Sequence, residues 1–296
     1  MDWDKLRIFH AAAEAGSFTR AGEALKLSQS AVSRQISHLE SELGIALFHR
    51  HARGLELTEQ GETLFRTAHE VSSKLAMAEA VLSDTRDQAR GELKVTTTVG
   101  FGSTWLTPRI GEFLGLHPGM TVNLILDDRT LDLSMREADI AIRMQPPTQP
   151  DLIQRRLLTV HNHMYASPEY LAANGTPQHL QDLGRHRVIA YGEDLPPPVR
   201  DINWILTRAR DAGFELQPVL KVNNIYGLLL AVEGGLGVAA LPDYMIQSNP
   251  RVVRVLPEVE GNAYDVFFVY PEELRASKRI AVFRDFLLSK VAGWRF

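Results

Sequence analysis

The chain of 296 residues has no cysteine, which excludes disulfides, thiolate zinc sites and thiol-based redox sensing. It also has no long apolar run. No stretch approaches the roughly 18 residues that a membrane span needs. The opening Met-Asp-Trp-Asp-Lys carries no apolar signal core, so a cytoplasmic protein with no membrane contact is expected. An excess of basic charge is missing too. Net charge is −4, and residues 1–60 hold seven Lys/Arg (Lys5, Arg7, Arg20, Lys26, Arg34, Arg50, Arg53) against eight Asp/Glu. Any attraction to a polyanion must therefore come from the placement of a few cations. What the chain does have is 45% hydrophobic residues, enough for full-sized cores, and a length that suggests about two domains.

Residues 17–50 carry the densest local pattern. Ser17 can cap a short helix whose residues Phe18, Ala21, Ala24 and Leu25 share one apolar face. Ser28 can cap a second helix. Val32, Ile36, Leu39 and Leu43 keep its buried face on a three-or-four spacing, and Gly44 ends it. The opposite face holds Gln29, Ser30, Ser33, Arg34, Ser37 and His38, short polar side chains with one arginine able to bond guanine or phosphate. Two helices joined by a tight turn and followed by a hydrophobic hairpin with a basic tip form a winged helix-turn-helix.

From Thr58 to about Asp87 the pattern predicts one long helix capped by Thr58. Leu64, Ala68, Val71, Leu75, Ala78 and Leu82 alternate spacings of four and three, as in a coiled-coil seam. Packing against its own domain is one reading of that stripe and contact with a partner chain is the other. Residues 86–91 read as a hinge into a second domain.

Beyond Gly91, strands alternate with helices. Strands are expected at 93–97, 121–126, 139–142, 188–191, 220–222 and 238–241. Helices are expected at 105–116, 131–137, 226–233 and 278–291, with a further helical block at 168–174 and 176–183. Such alternation argues for parallel α/β sheets. Met164-Tyr165-Ala166 and Val266–Tyr270 look like two strands crossing between halves. Two α/β subdomains joined by two crossings have the plan of periplasmic binding proteins.

Ligands in such sheets sit beyond the carboxyl ends of strands. Three segments qualify. The first runs from Thr97 to Thr104, where Gly100 and Gly102 let the backbone bend around Phe101, and Thr98, Ser103 and Thr104 offer hydroxyls. The second is Asp127-Asp128-Arg129-Thr130, whose acidic pair disfavours an anionic ligand unless Arg129 offsets it. The third is Asn223-Asn224, opening a helix in the other half. Capping of a helix is the alternative role for Thr98, Ser103 and Thr104. Pro196-Pro197-Pro198 reads as an exposed turn that borders the cleft at most.

Other signals carry less. Trp105 stands where a dinucleotide fingerprint needs its third glycine, and Gly234-Gly235-Leu236-Gly237 reads as a helix-ending turn. His49-x-His51 and His161-x-His163 have no further ligand nearby in sequence, so no metal or cofactor is expected. No spacing supports a catalytic constellation.

The N-terminal block resembles LysR-type transcriptional regulators. The matching residues are Phe9, Ser17-Phe18-Thr19, Ser28-Gln29, Ser33-Arg34-Gln35-Ile36, Leu39-Glu40, Gly44, Leu47-Phe48-His49-Arg50 and Leu57-Thr58-Glu59-Gln60-Gly61. Ser30 departs from the pattern, standing where many members have proline at the first turn of the recognition helix. The resemblance implies an α/β protein with three parts. Residues 1–58 would form a winged helix-turn-helix (helix-turn-helix about 18–37), and 59–90 a linker helix that dimerises the protein. Residues 91–296 would form a periplasmic-binding-protein-like effector domain, with subdomain I at about 91–161 and 267–296 and subdomain II at about 162–266. It implies double-stranded DNA as partner, a homodimer and a homotetramer built from it, and a small-molecule effector in the cleft. The expected DNA contacts are Thr19, Arg20, Ser28, Gln29, Ser30, Ser33, Arg34, His38, Arg50 and Arg53. Arg50 has an alternative partner in Glu40 or Glu42. The expected effector contacts are Thr98, Gly100, Phe101, Ser103, Thr104, Asp128, Arg129, Thr130, Asn223 and Asn224. The whole chain is also similar to a narrower group, the VtlR/LsrB-type regulators, through Trp3–His10, Phe48–Gly54, Asp151–Arg155 and Val282–Phe286. That likeness implies a role in stress adaptation and host interaction, without the cysteine-based redox response proposed in the group.

Overall fold

The computed structural model describes residues 2–51, 54–83, 89–133, 137–146, 151–192, 197–247 and 249–293. The chain divides into two compact units that part after Ser83.

The first unit is a winged helix-turn-helix. Helix α1 (Trp3–Ala15) starts at Asp2, whose carboxylate accepts from the Lys5 N–H, and stops at Gly16 in the left-handed region. Helix α2 (Phe18–Leu25) follows at once. Ser17 holds the cap position, but its hydroxyl makes no cap hydrogen bond; its carbonyl accepts from the Ala21 N–H instead. Between α2 and α3 (Gln29–Leu43) the Leu27 N–H donates to the Gly22 carbonyl at 2.8 Å. A Cβ on Gly22 would lie 2.6 Å from the Leu27 carbonyl oxygen, so glycine is what lets this turn close. Ser28 does cap α3, accepting from the Ala31 N–H.

Phe9, Ala12, Ala21, Val32, Ile36, Leu39 and Leu47 form a fully buried core. Ala24 and Leu43, expected on apolar faces, are exposed. The carboxylate of Glu40 accepts from the Leu47 and Phe48 N–H groups and so fixes the entry to the wing, an antiparallel hairpin of β1 (Phe48–His51) and β2 (Gly54–Leu57).

Helix α4 (Glu59–Ser83) begins at Thr58, whose hydroxyl accepts from the Gly61 N–H and donates to the Ala46 carbonyl. The expected seam divides in two. Leu64 and Ala68 pack into the core of the same unit, whereas Val71 and Leu75 are exposed. The side chains of Ala78 and Leu82, and residues 84–88 of the expected hinge, lie outside the described residues.

The second unit is built on a nine-stranded mixed sheet in the order β4-β3-β5-β11-β6-β9-β7-β8, with β10 on β6. Strand β3 (Gly91–Thr97) leads into α5 (Val99–Phe101), a π-helical stretch at Gly102–Leu106 and α6 (Thr107–Leu116), then β4 (Met120–Leu126) and β5 (Ile140–Arg143). Residues 131–133, expected to open a helix, are not helical; 134–136 lie outside the described residues. The crossing strand is longer than expected: β6 runs from Leu152 to Ala166. Then come α7 (Pro168–Asn174), a 3-10 turn at Leu180–Arg185 where a helix was expected, and β7 (Val188–Tyr191). Helix α8 (Trp204–Asp211), β8 (Pro218–Val222), α9 (Ile225–Glu233) and β9 (Val238–Pro242) complete the second half. Strand β10 (Val253–Val255), the return crossing β11 (Ala263–Pro271) and α10 (Lys278–Ala292) follow.

The β3, β4 and β5 strands are parallel, as are β7, β8 and β9. The two crossing strands run antiparallel to each other and to β5 and β9. The sheet is therefore mixed, because a chain that crosses twice must return in the opposite sense. The expected subdomain boundaries at 161/162 and 266/267 fall inside these two strands. The second of them falls on a register shift between Val266 and Phe267.

Candidate nucleic-acid interface and ligand cleft

On α3 the side chains of Gln29, Ser30, Arg34 and His38 are exposed and Ser33 is half-buried, on the face away from Val32, Ile36 and Leu39. Thr19 and Arg20 are exposed on α2. The Ser28 hydroxyl is occupied by the cap and stands 3.1 Å from that of Ser30, so Ser30 helps to hold the helix start where proline is usual. Lys5 on α1 pairs with Glu42 on α3 at 2.8 Å. The hydrogen bond from Lys5 holds the Glu42 carboxyl down at about 2. Arg50 lies on β1, with its side chain outside the described residues, and Arg53 lies outside them altogether. The arrangement offers a groove-sized helix with a polar, weakly cationic face, supported by a core that fixes its angle.

The other unit holds a cleft of about 800 Å³ at the carboxyl ends of β3, β4 and β5. Six of the ten expected contacts line it: Thr98, Asp128, Arg129, Thr130, Asn223 and Asn224. Four stand elsewhere. The expected loop is already helical from Val99, so its glycines serve close packing rather than bending. A Cβ on Gly100 would overlap Ile225 and reach 3.1 Å from the Tyr244 hydroxyl. Phe101 is fully buried against Trp105 and Tyr244. The Thr104 hydroxyl donates to the Gly100 carbonyl inside the helix, and Ser103 is half-buried away from the cleft lining. Asn224 spends its side chain capping α9, accepting from the Tyr226 and Gly227 N–H groups.

Arg143 and Tyr191 are among the cleft residues that were not expected. Arg143 ends β5 and is buried. Its Nη1 donates to the Asp127 carbonyl at 2.9 Å and its Nη2 to the Thr96 hydroxyl at 3.0 Å. Burial lowers its basicity, while Asp127 and Asp128 oppose that effect. Asp127 accepts two-pronged hydrogen bonds from the Arg129 guanidinium, which hold its carboxyl below the usual range. Asp128 accepts from the Val99 N–H, yet burial, together with repulsion from Asp127, pushes its carboxyl up. Tyr191 is raised to about 12 by burial and by Asp128. The signal for Arg143 was present in the sequence: an arginine closing the apolar run Ile140-Ala141-Ile142 at a strand's carboxyl end.

The two histidine pairs are differently placed. His163 sits on β6 with its Nδ1 2.7 Å from Asp243, which also accepts from the Tyr165 hydroxyl at 2.7 Å. The rings of His49 and His51 stack 6.1 Å apart on the wing. Among the described residues no group of three or more His, Asp or Glu side chains is placed to hold a metal.

A helix-turn-helix followed by a two-subdomain cleft defines a class of ligand-responsive DNA-binding regulators. The comparisons place the chain within it. Residues 3–62 match the bacterial regulatory helix-turn-helix protein model of the lysR family. Residues 86–292 match the LysR substrate binding domain. The chain belongs to the LysR family of transcriptional regulators. It is 30% identical over 295 residues to an HTH-type transcriptional regulator of Xanthomonas campestris pv. campestris, covering 98% of this chain and 86% of that one. It is 31% identical over 295 residues to the glycine cleavage system transcriptional activator of Escherichia coli, covering 97% and 93%. The solved structure of CrgA, a LysR-type regulator from Neisseria meningitidis, is 27% identical with a TM-score of 0.60, covering 99% and 100%. The chain is thus a transcriptional regulator with a DNA-binding domain and an effector-binding domain, and its relatives are regulators rather than enzymes. Among the described residues no helix is long and apolar enough to cross a membrane.

Proposed function

We propose that this regulator reads promoter half-sites in the cytoplasm as a dimer paired into a tetramer, with α3 in the major groove and a small molecule in the cleft setting its state. The observation that carries the reading is the exposed face of α3. Gln29, Ser33 and Arg34 stand on a capped helix whose other face is locked into a core. Gln29 and Arg34 have the bidentate chemistry that reads adenine and guanine edges. Thr19, Arg20, Ser28, Ser30 and His38 supply phosphate or base contacts beside them, and the wing residues Arg50 and Arg53 reach the flanking backbone or minor groove. The exposed Val71 and Leu75 on α4 support a partner helix there. A second apolar strip at Val219, Tyr226 and Leu230 supports a further contact between copies. Thr98, Asp128, Arg129, Thr130, Asn223 and Asn224 form the effector cleft, with Gly100, Phe101, Ser103 and Thr104 shaping it from behind.

Gel shift with fragments that include the region upstream of its own gene tests the assignment. Arg34→Ala is expected to weaken specific binding about 5- to 150-fold, the effect of losing about 1–3 kcal/mol at one base contact; unchanged shifts would remove α3 from the groove. The likeness to VtlR/LsrB-type regulators supports target genes in stress adaptation and host interaction. Transcript profiling of a deletion strain under acid and oxidative stress checks that role, and profiles identical to wild type would sink it.

A further inference from the structure

We propose that the cleft selects a small zwitterion with an apolar side chain, an α-amino acid, rather than a simple organic acid or an amine. The proposal rests on reading the cleft as the effector site.

Four ionised groups stand in the cleft wall: Asp127, Asp128, Arg129 and Arg143. Asp127 and Arg129 neutralise each other through contacts of 2.8 and 3.1 Å. One carboxylate and one guanidinium remain; they attract each other through space, but among the described residues neither makes a contact ion pair. Asp128 uses one oxygen on the Val99 N–H, a neutral donor. Arg143 donates to two neutral oxygens, the Asp127 carbonyl and the Thr96 hydroxyl. Its Nε is buried with no hydrogen-bond partner. Two residues beyond Thr96, the Thr98 hydroxyl is also buried and without a partner in the same wall. Thr98 itself is only 4% exposed.

Arg143 is buried and Asp128 half-buried, and a charge drawn out of water without a contacting partner gains when a ligand brings the opposite sign against it. A carboxylate alone would satisfy Arg143 and Thr98 and leave Asp128 facing a second negative charge. An amine alone would satisfy Asp128 and leave Arg143 facing a second positive one. A zwitterion answers both and leaves the cleft neutral. The desolvation already felt at both groups points the same way: burial raises the Asp128 carboxyl and lowers the Arg143 guanidinium. Part of the remaining wall accepts a hydrocarbon side chain, with Leu126, Leu133, Met144, Leu152 and Val269 around the space, beside the uncharged polar Thr130, Gln145, Tyr191, Asn223 and Asn224. A cleft of about 800 Å³ is in the range that encloses a small solute.

The test is calorimetric titration of the full chain with L-alanine, L-valine, L-leucine, L-methionine and L-phenylalanine. Each is set against its des-amino acid and its decarboxylated amine, for example 4-methylpentanoate and isopentylamine for leucine. At least one amino acid is expected to bind about tenfold or more tightly than both of its analogues. Asp128→Asn should reduce that affinity about tenfold or more and leave the des-amino acid unchanged, whereas Thr98→Val should weaken both. Circular dichroism confirms that each variant is folded. An acid that binds as well as its amino acid, or an Asp128→Asn variant with full amino-acid affinity, overturns the proposal. So does a panel in which no amino acid binds. A second panel of sugars, dicarboxylates and aromatic acids then separates two failures. A binder weakened by Thr98→Val means the cleft is the effector site with another ligand class. If no binder responds to Thr98→Val, and Ala141→Trp in the cleft wall leaves promoter binding unaltered in cell extract, the cleft reading itself fails.

Discussion

Single side chains carry the chemistry, and Asp128 shows how. Its folded pKa lies above the ordinary value because burial penalises the charged form. A group raised in this way favours folding only when protonated. Its contribution is present below the ordinary carboxylate range and is lost as pH rises through the folded value. At pH 7 the ionised Asp128 therefore costs stability. Asp128→Asn is expected to melt above wild type at pH 7, and the two curves should converge as pH falls toward about 4; a lower melting temperature for the variant at pH 7 would contradict the account. Sequence reasoning reached Asp128 and Thr98 because residues at strand ends can be placed by topology alone. It missed Arg143, which lies in an apolar run and reads as part of the core. It misplaced Gly100 and Phe101 because paired glycines suggest a bending loop. A backbone approaching Ile225 closely needs the same residue for a different reason.

At the level of elements, caps and turns decide where helices stand. Gly22 allows α2 and α3 to meet, so Gly22→Ala should destabilise the DNA-binding unit by about 1–3 kcal/mol through overpacking against the Leu27 carbonyl. Chemical denaturation measures that loss, and an unchanged midpoint would show that the turn relaxes. Helices α1 and α4 are joined by His10 and His69, whose ring nitrogens stand 2.8 Å apart. One must donate and the other accept, so double protonation breaks the bond. Burial lowers the His10 pKa, with Glu14 opposing and His69 adding to the shift. This stability is full above the ordinary histidine value of about 6.5 and is lost as pH falls below it. The melting temperature should drop between pH 7 and 5, and drop less in His10→Gln. Equal drops would clear the pair of that role. Hydrophobic spacing made α3, α4 and most strands legible, since burial of one face imposes a period. The crossing strand β6 was read only at its carboxyl end, because its first residues, Gln154, Arg155 and Arg156 among them, are solvent-facing and lack that period.

For the molecule as a whole, the helix-turn-helix was legible because some sixty residues hold one register. The linker stripe was only half so. A three-four spacing says that a face is covered without saying by what, and here Leu64 and Ala68 are covered by their own unit. Val71 and Leu75 keep the exposed part of the stripe. Leu75→Glu should shift light-scattering mass toward the monomer and weaken promoter binding, and an unchanged mass would remove this face from the interface.

The polar face of α3 has a consequence for how the regulator finds its genes. Each phosphate contact adds about −0.9 to the logarithmic salt dependence of DNA affinity. If Arg20, Arg50 and Arg53 each meet one phosphate, a protomer contributes a slope of only about −2.7. A bacterial genome presents on the order of a million or more competing non-specific positions. A reader whose attraction rests on so few cations is held weakly by all of them. A single arm therefore holds feebly, and the four arms of the proposed tetramer, whose slopes would sum to about −11, make promoter occupancy depend steeply on potassium only when they engage together.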